Sequence, residues 1–368
     1  MKTATLKKTD IGKCLDLLIQ SEFKVIAPQL QPRLEAPDAI DVLMLTQMES
    51  GENHAVGQGV LPLNGVKDFL FVKNEPLFAF ENKGNKVSIT EVHHKYPQTV
   101  IFGVRPCDAA SVGSLNAVFS EANAGFEDKF FTKRLEKTTF VTYSCTDPDN
   151  SCFCTSVGLA PDSNRGSDIH LTEIPGDRLH VEAKTPAGFA LAKILEPLFQ
   201  WPGEPEARKK AGEEARQKIS RIRKSHLIKG WLDELAHFDD EMWLRLGEKC
   251  IGCGACTFMC PTCHCYDIVG EYRGGKGYRI KFWDSCQFGH FTLHASGHNP
   301  RDRQYKRYRN RFTCKFKIYQ DKFSAQGCVG CGRCVRDCPV NVDITEYMKE
   351  VDLKASLPNA WQRDPDFE

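Results

Sequence analysis

Residues 250 to 261 read Cys-Ile-Gly-Cys-Gly-Ala-Cys-Thr-Phe-Met-Cys-Pro, and residues 328 to 339 read Cys-Val-Gly-Cys-Gly-Arg-Cys-Val-Arg-Asp-Cys-Pro. Both are Cys-x2-Cys-x2-Cys-x3-Cys-Pro, repeated 78 positions apart. The spacing constrains the fold strongly, because three thiolates on a tight turn can grip three irons of one cubane. Gly252, Gly254, Gly330 and Gly332 let backbone amides approach its sulfurs, and the fourth cysteine points away into a helix. In two-cluster ferredoxins that fourth cysteine ligates the other cluster. The expected ligand sets are therefore Cys250, Cys253, Cys256 and Cys338 for one [4Fe-4S] cluster, and Cys328, Cys331, Cys334 and Cys260 for the second. Zinc also accepts Cys-x2-Cys pairs tetrahedrally, but a third Cys at the next step and a closing Cys-Pro, twice over, favour iron.

Of 17 cysteines, 12 lie between Cys250 and Cys338. No window approaches the roughly 18 apolar residues of a spanning helix; the best, Gly188 to Phe199, is broken by Lys193, Glu196 and Pro197. No membrane span is expected. The segment after Lys2, Lys7 and Lys8 is too short for a secretory signal and contains Asp16. A cytoplasmic location is expected, and there cysteine-rich argues for metal over disulfides.

The first 200 residues read as mixed α/β. Thr99 to Val104 is a buried strand, Asp108 to Phe119 a helix with Asp108 placed to cap it, and Thr139 to Ser144 a second strand, the pattern of a parallel strand-helix-strand unit. Ile169 to Ile174 and Leu179 to Ala183 flank Pro175-Gly-Asp177 as a hairpin, and Ala187 to Gln200 reads as a helix. Residues 203 to 225 hold 12 charged side chains and read as a solvent-exposed helical connector. The expected fold is an α+β or α/β N-terminal domain over 1–235, followed over 236–368 by a mainly helical dicluster ferredoxin-type domain.

Two accidental motifs carry little. Cys256-x3-Cys260-x2-Cys263 matches the radical-SAM spacing, but barely a hundred residues follow it. Gly270-x4-Gly275-Lys276 imitates a phosphate loop, yet Gly277 stands where Ser or Thr should bind Mg²⁺ and no strand is expected before it, so a solvated loop is expected.

These residues, with Val104-Arg-Pro-Cys-Asp108, Cys152-Phe-Cys-Thr-Ser-Val-Gly158, Cys260-Pro-Thr-Cys-His-Cys265, Trp283-Asp-Ser-Cys286 and Gly297-His-Asn-Pro-Arg301, resemble a known family. It is the iron–sulfur subunit family shared by anaerobic sulfite reductases and, as subunit beta, by cytosolic sulfhydrogenases, and the resemblance runs from roughly residue 60 to 345. It implies an electron relay between a partner that binds flavin and NAD(P)H and a catalytic partner, either a sirohaem sulfite reductase or a [NiFe] hydrogenase. The family's His-Lys-Phe stands here as Cys314-Lys-Phe316, which argues against Cys314 as a ligand.

Cys107 and Cys145 follow directly on the two strands, at the carboxyl edge where α/β sheets build sites, and Cys152 and Cys154 lie on the next loop. Together they are expected to hold a third [4Fe-4S] cluster, with Asp108 as a substitute ligand; the alternative is unligated core thiols. Cys263, Cys265 and Cys286 could tune a cluster from its surroundings, but inert packing is the expectation. His290, His294 and His298, spaced by four, are expected to be surface or packing residues, and the family shares only His298.

The formal net charge of +1 names no partner. Arg301 to Lys317 carries eight cations among Tyr305, Tyr308, Phe312 and Phe316, a pattern also seen in single-strand nucleic-acid surfaces. Three oxidised clusters at −2 each would take the chain to about −5, so compensation of buried anionic metal, or docking to an acidic partner, is preferred and no nucleic acid is expected. No dinucleotide turn, nucleophile elbow or open metal triad is present, so no catalytic residue is assigned. A stand-alone flavin- or substrate-binding iron–sulfur oxidoreductase is the alternative reading.

Overall fold

The computed structural model describes residues 3–32, 41–59, 61–121, 123, 125–222 and 241–356; the expected boundary near 235 lies outside them. Along the chain come strands β1 (Thr3–Lys7), β2 (Lys24–Gln31), β3 (Val42–Gln47), β4 (Asn74–Lys83), β5 (Lys86–Glu91), β6 (Thr99–Val104), β7 (Thr138–Tyr143), β8 (Ile169–Ile174), β9 (Arg178–Ala183), β10 (Phe199–Gln200), β11 (Tyr266–Arg273) and β12 (Lys276–Trp283). The larger sheet runs β10-β1-β9-β8-β7-β6-β2-β3. Its centre, β2 to β6 to β7 to β8, is parallel, and antiparallel strands close both margins.

All six residues of β6 are buried because both faces of the sheet are covered. Val100 and Phe102 pack with Leu15, Leu18 and Leu191 on one face. Ile101 and Val104 pack with Leu115 and Phe131 on the other. The alternation is interrupted at Gly103, where the register with β7 shifts. Its φ is +75°, and a Cβ there would meet Val56 at 2.7 Å, so the bulge that aims the chain toward Arg105 and Cys107 needs glycine.

The expected hairpin over 169–183 forms, Ile169 opposite Ala183 and Ile174 opposite Arg178. Other elements differ from expectation. The helix after it is Pro186–Leu195; Pro197 falls in the turn that ends it, and Phe199–Gln200 pairs with β1 instead. The connector helix Pro205–Ile222 is not wholly exposed: Ala215 and Ile219 are buried, and Arg216 holds Asp162 through paired bonds of 2.8 and 2.7 Å. Residues 223–225 of that stretch lie outside the described residues. Asp108 does not cap its helix. The helix is Pro106–Phe119 with Arg105 at the cap position, and Asp108 sits fully buried inside the first turn.

A second sheet, β11-β12-β4-β5, takes two strands from before residue 100 and two from after residue 260. The C-terminal region thus contains an eight-residue strand pair beside its helices. The phosphate-loop lookalike is part of it: Gly270 lies within β11, a strand its own residue pattern does not announce, and Gly274 and Gly275, both at positive φ, make the hairpin turn. The sheet is anchored by charge. Lys281, 4% exposed, lies 2.9 Å from Glu75 and 2.5 Å from Asp128, and Arg134 also pairs with Glu75. At the base of the hairpin, Trp283 Nε1 donates to the Phe71 carbonyl at 2.8 Å, and Lys67 Nζ lies 3.8 Å over the indole. The same ammonium donates to the carbonyls of Thr257 and Phe258 at the end of a short helix.

A further core gathers Trp243, Tyr308, Phe312 and Tyr347, with Trp243 and Tyr347 stacked at 5.6 Å. It carries the helix Gln304–Thr313, which continues through a π-helical turn, Cys314–Ile318.

Candidate metal centres

Each cysteine run folds as a loop closed by a four-residue helix, Ala255–Phe258 and Arg333–Arg336. Gly252 and Gly254, and likewise Gly330 and Gly332, adopt positive φ, which curls the backbone into a concave nest of amides suited to an anion. The amide of Gly330 donates to Cys328 Sγ at 3.4 Å, and that of Val342 to Cys338 Sγ at 3.2 Å. A Cβ at Gly330 would strike the backbone of Cys154 at 2.5 Å, and one at Gly332 the Ser151 carbonyl at 2.5 Å. The second loop is therefore pressed against residues 151–154.

Cys260, Cys328, Cys331 and Cys334 line one small cavity together with Phe153, Arg311 and Lys315. Cys260 comes from the first run and faces the three loop cysteines of the second. Cys250 in turn neighbours Cys338 and Cys253, and its sulfur accepts from Gln304 Nε2 at 3.2 Å. Burial pushes the Cys256 and Cys328 thiols up to about 11. Cys260 goes the other way: a hydrogen bond from Cys263, with Lys315 and Arg311 close by, holds it well below the ordinary thiol value.

The surroundings suit an anionic core. Lys315, 3% exposed, donates from Nζ to Cys260 Sγ at 3.2 Å, Thr262 Oγ1 at 2.9 Å and the Gly327 carbonyl at 3.0 Å. Arg311, 2% exposed, donates from Nη1 to Cys263 Sγ at 3.2 Å, while its Nε and Nη2 have no hydrogen-bond partner. Taking two cations out of water costs several kcal/mol each unless negative charge accompanies them. Four thiols on one cavity, nest amides and two buried cations, Arg311 with donors to spare, fit a thiolate-bound iron–sulfur cubane.

Lys315 and Arg311 were not singled out from the sequence, although their spacing of four within a cationic run was the available signal. Part of that run is interior. Tyr308, Phe312 and Phe316 are core residues, and Arg309, Arg311 and Lys315 are buried. His290, His294 and His298 are exposed on turns and not on a helix.

Cys107, Cys145, Cys152 and Cys154 gather at the carboxyl end of the parallel strands. Cys152 neighbours Cys145, Cys331 and Cys154; Cys107 neighbours Cys331 and Cys152. Burial pushes Cys154 up to about 12. Asp108 is not available as a substitute ligand there: Arg333 binds it bidentately at 2.7 and 2.9 Å, both side chains fully buried. Cys263, Cys265, Cys286 and Cys314 line a separate cavity on the other side of Arg311 and Lys315.

The family model for a 4Fe-4S dicluster domain matches residues 249–342. The sulfhydrogenase 2 subunit beta of Pyrococcus furiosus is 33% identical over 290 residues, 77% of this chain and 82% of that protein. A chain of the F420-reducing [NiFe] hydrogenase complex from Methanosarcina barkeri aligns over 61% of this chain and 92% of its own, at 12% identity and a TM-score of 0.34, a likeness too low to argue from.

Proposed function

The chain belongs to the iron–sulfur family of sulfhydrogenase beta subunits, and from that premise we propose that it is the electron-relay subunit of a multi-subunit cytoplasmic oxidoreductase. In this reading a flavin- and NAD(P)H-binding subunit lies on one side of the relay and a catalytic subunit of [NiFe] hydrogenase or sulfite reductase type on the other. The observation that carries it is the cavity in which Cys260 meets Cys328, Cys331 and Cys334. Bound iron–sulfur cubanes supply one-electron storage and no bond chemistry of their own. The residues here provide the rest: thiols to bind, nest amides and buried cations to hold negative charge, and an apolar wall of Phe153 and Ile344 to exclude water. Among the described residues no helix is long and apolar enough to cross a membrane.

The ligand sets we propose are Cys250, Cys253, Cys256 and Cys338 for one cluster, and Cys328, Cys331, Cys334 and Cys260 for the other. A third, on Cys107, Cys145, Cys152 and Cys154, is supported by their convergence and by the contact of loop 151–154 with Gly330 and Gly332. That contact makes the full chain the proper test object. Cys152→Ala in the full chain is expected to lose about four irons and four sulfides while both ferredoxin-type EPR signals persist. An unchanged iron content would return these thiols to core packing.

The relay reading predicts that the purified chain accepts electrons from a low-potential artificial donor. It should show no NAD(P)H oxidation and no sulfite or hydrogen turnover, since flavin and catalytic metal are held elsewhere. Stoichiometric flavin in the purified chain, with steady NAD(P)H oxidation, would overturn it.

A further inference from the structure

Four cysteines outside the three sets above are brought together by strand register. The hairpin of β11 and β12 pairs Tyr266 with Trp283, and the amide of Asp284 donates to the Cys265 carbonyl at 3.0 Å. Residues just beyond the base of the hairpin are thereby held side by side, and Cys265 and Cys286, 21 positions apart, face one cavity. Cys263 is two residues upstream, on the loop that leaves Cys260-Pro261. Cys314, where the family's histidine argues against a ligand role, nonetheless opens the π-helical turn and lines the same cavity as the other three; such a distortion recurs at functional sites.

These four thiols line one cavity of about 290 Å³ with His264, Arg311 and Lys315. Tyr319 fixes its floor, donating to the Thr262 carbonyl at 2.7 Å with His264 Nδ1 at 2.7 Å from the same hydroxyl. Buried thiols that served only as packing would be expected to fill space, not to border an open cavity with two buried cations. Arg311 lies between this cavity and that of the Cys260 set, with Nη1 on Cys263 and two further donors unpartnered. Among the described residues no three ligand-type side chains are gathered tightly enough for a single ion. That is true of the ferredoxin-type sets as well, whose core is several irons wide.

We propose that Cys263, Cys265, Cys286 and Cys314 bind a further [4Fe-4S] cluster, seated beside the other two in the C-terminal region. Its neighbour is the Cys260 set, across Arg311 and Lys315, which line both cavities. The assignment is independent of the relay reading, because it concerns occupancy of a site and not the direction or use of electrons.

The test uses the full chain, reconstituted anaerobically. The double variant Cys265→Ala, Cys286→Ala should hold about four irons and four sulfides fewer than the parent, with the EPR signals of the two ferredoxin-type clusters retained. Cys314→Ala alone should lower occupancy of the same site. A second measurement needs no variant: in the iron-loaded parent the four thiols should resist iodoacetamide, and after iron chelation they should alkylate. Unchanged iron in a folded double variant, loss of one zinc in place of iron, a Cys265–Cys286 disulfide in the loaded protein, or equal alkylation before and after chelation would each overturn the proposal.

Discussion

Cys260→Ala is expected to abolish the cluster proposed on Cys328, Cys331 and Cys334 and to spare the one proposed on its sequence neighbours. The loss should be about four irons per chain, with one of the two ferredoxin-type EPR signals disappearing from the reduced protein. The reason is spatial. Cys260 lies on the wall of the cavity that the three distant cysteines line, and Lys315 holds its sulfur there at 3.2 Å. Disappearance of the signal belonging to Cys250, Cys253 and Cys256 would show that the fourth ligand does not cross over.

Asp108→Ala should destabilise the chain by about 3–5 kcal/mol, the usual cost of stranding a buried charge. Asp108 follows Cys107 on one side of the molecule, and Arg333 precedes Cys334 on the other. Their bidentate pair is fully buried, and the remaining guanidinium donors reach the carbonyls of Pro62 and Asn64 at 2.9 Å each. Removing the carboxylate leaves the cation without a counter-charge beside a cluster loop, so the loop should loosen and shed iron as well. Chemical denaturation of the full chain measures the first effect and iron content the second. Because the partners act as a unit, the double variant Asp108→Leu, Arg333→Met should cost far less than the two single changes added. A single-variant cost under about 1 kcal/mol, the range of exposed pairs, would mean the pair does not carry the interface.

The parallel sheet was legible where one local pattern sufficed. Thr99 to Val104 is apolar on both faces because it is covered on both, and the hairpin at 169–183 carries its turn as Gly176-Asp177 at positive φ. The second sheet was not legible. All six residues of β5 are exposed, β11 mixes glycine and charge with its apolar positions, and β4 meets β12 across nearly 200 residues of chain. Strands of this kind owe their existence to neighbours, so their own pattern says little.

The contrast is sharpest among the cysteines. Spacing by itself determined the two ferredoxin-type loops, because three thiols and two glycines within seven residues leave few ways to wrap a backbone. Asp108 had every local mark of a cap, yet the fold turned it to Arg333, 225 positions away, since a buried guanidinium requires a carboxylate more than a helix end requires a cap. Cys263, Cys265, Cys286 and Cys314 have no shared spacing, and the register of β11 against β12 with the turn at 314–318 decides that they face one cavity. Local covalent spacing acts within a turn and is written in the sequence; convergence of distant thiols depends on strand register and helix packing, which only the assembled chain determines.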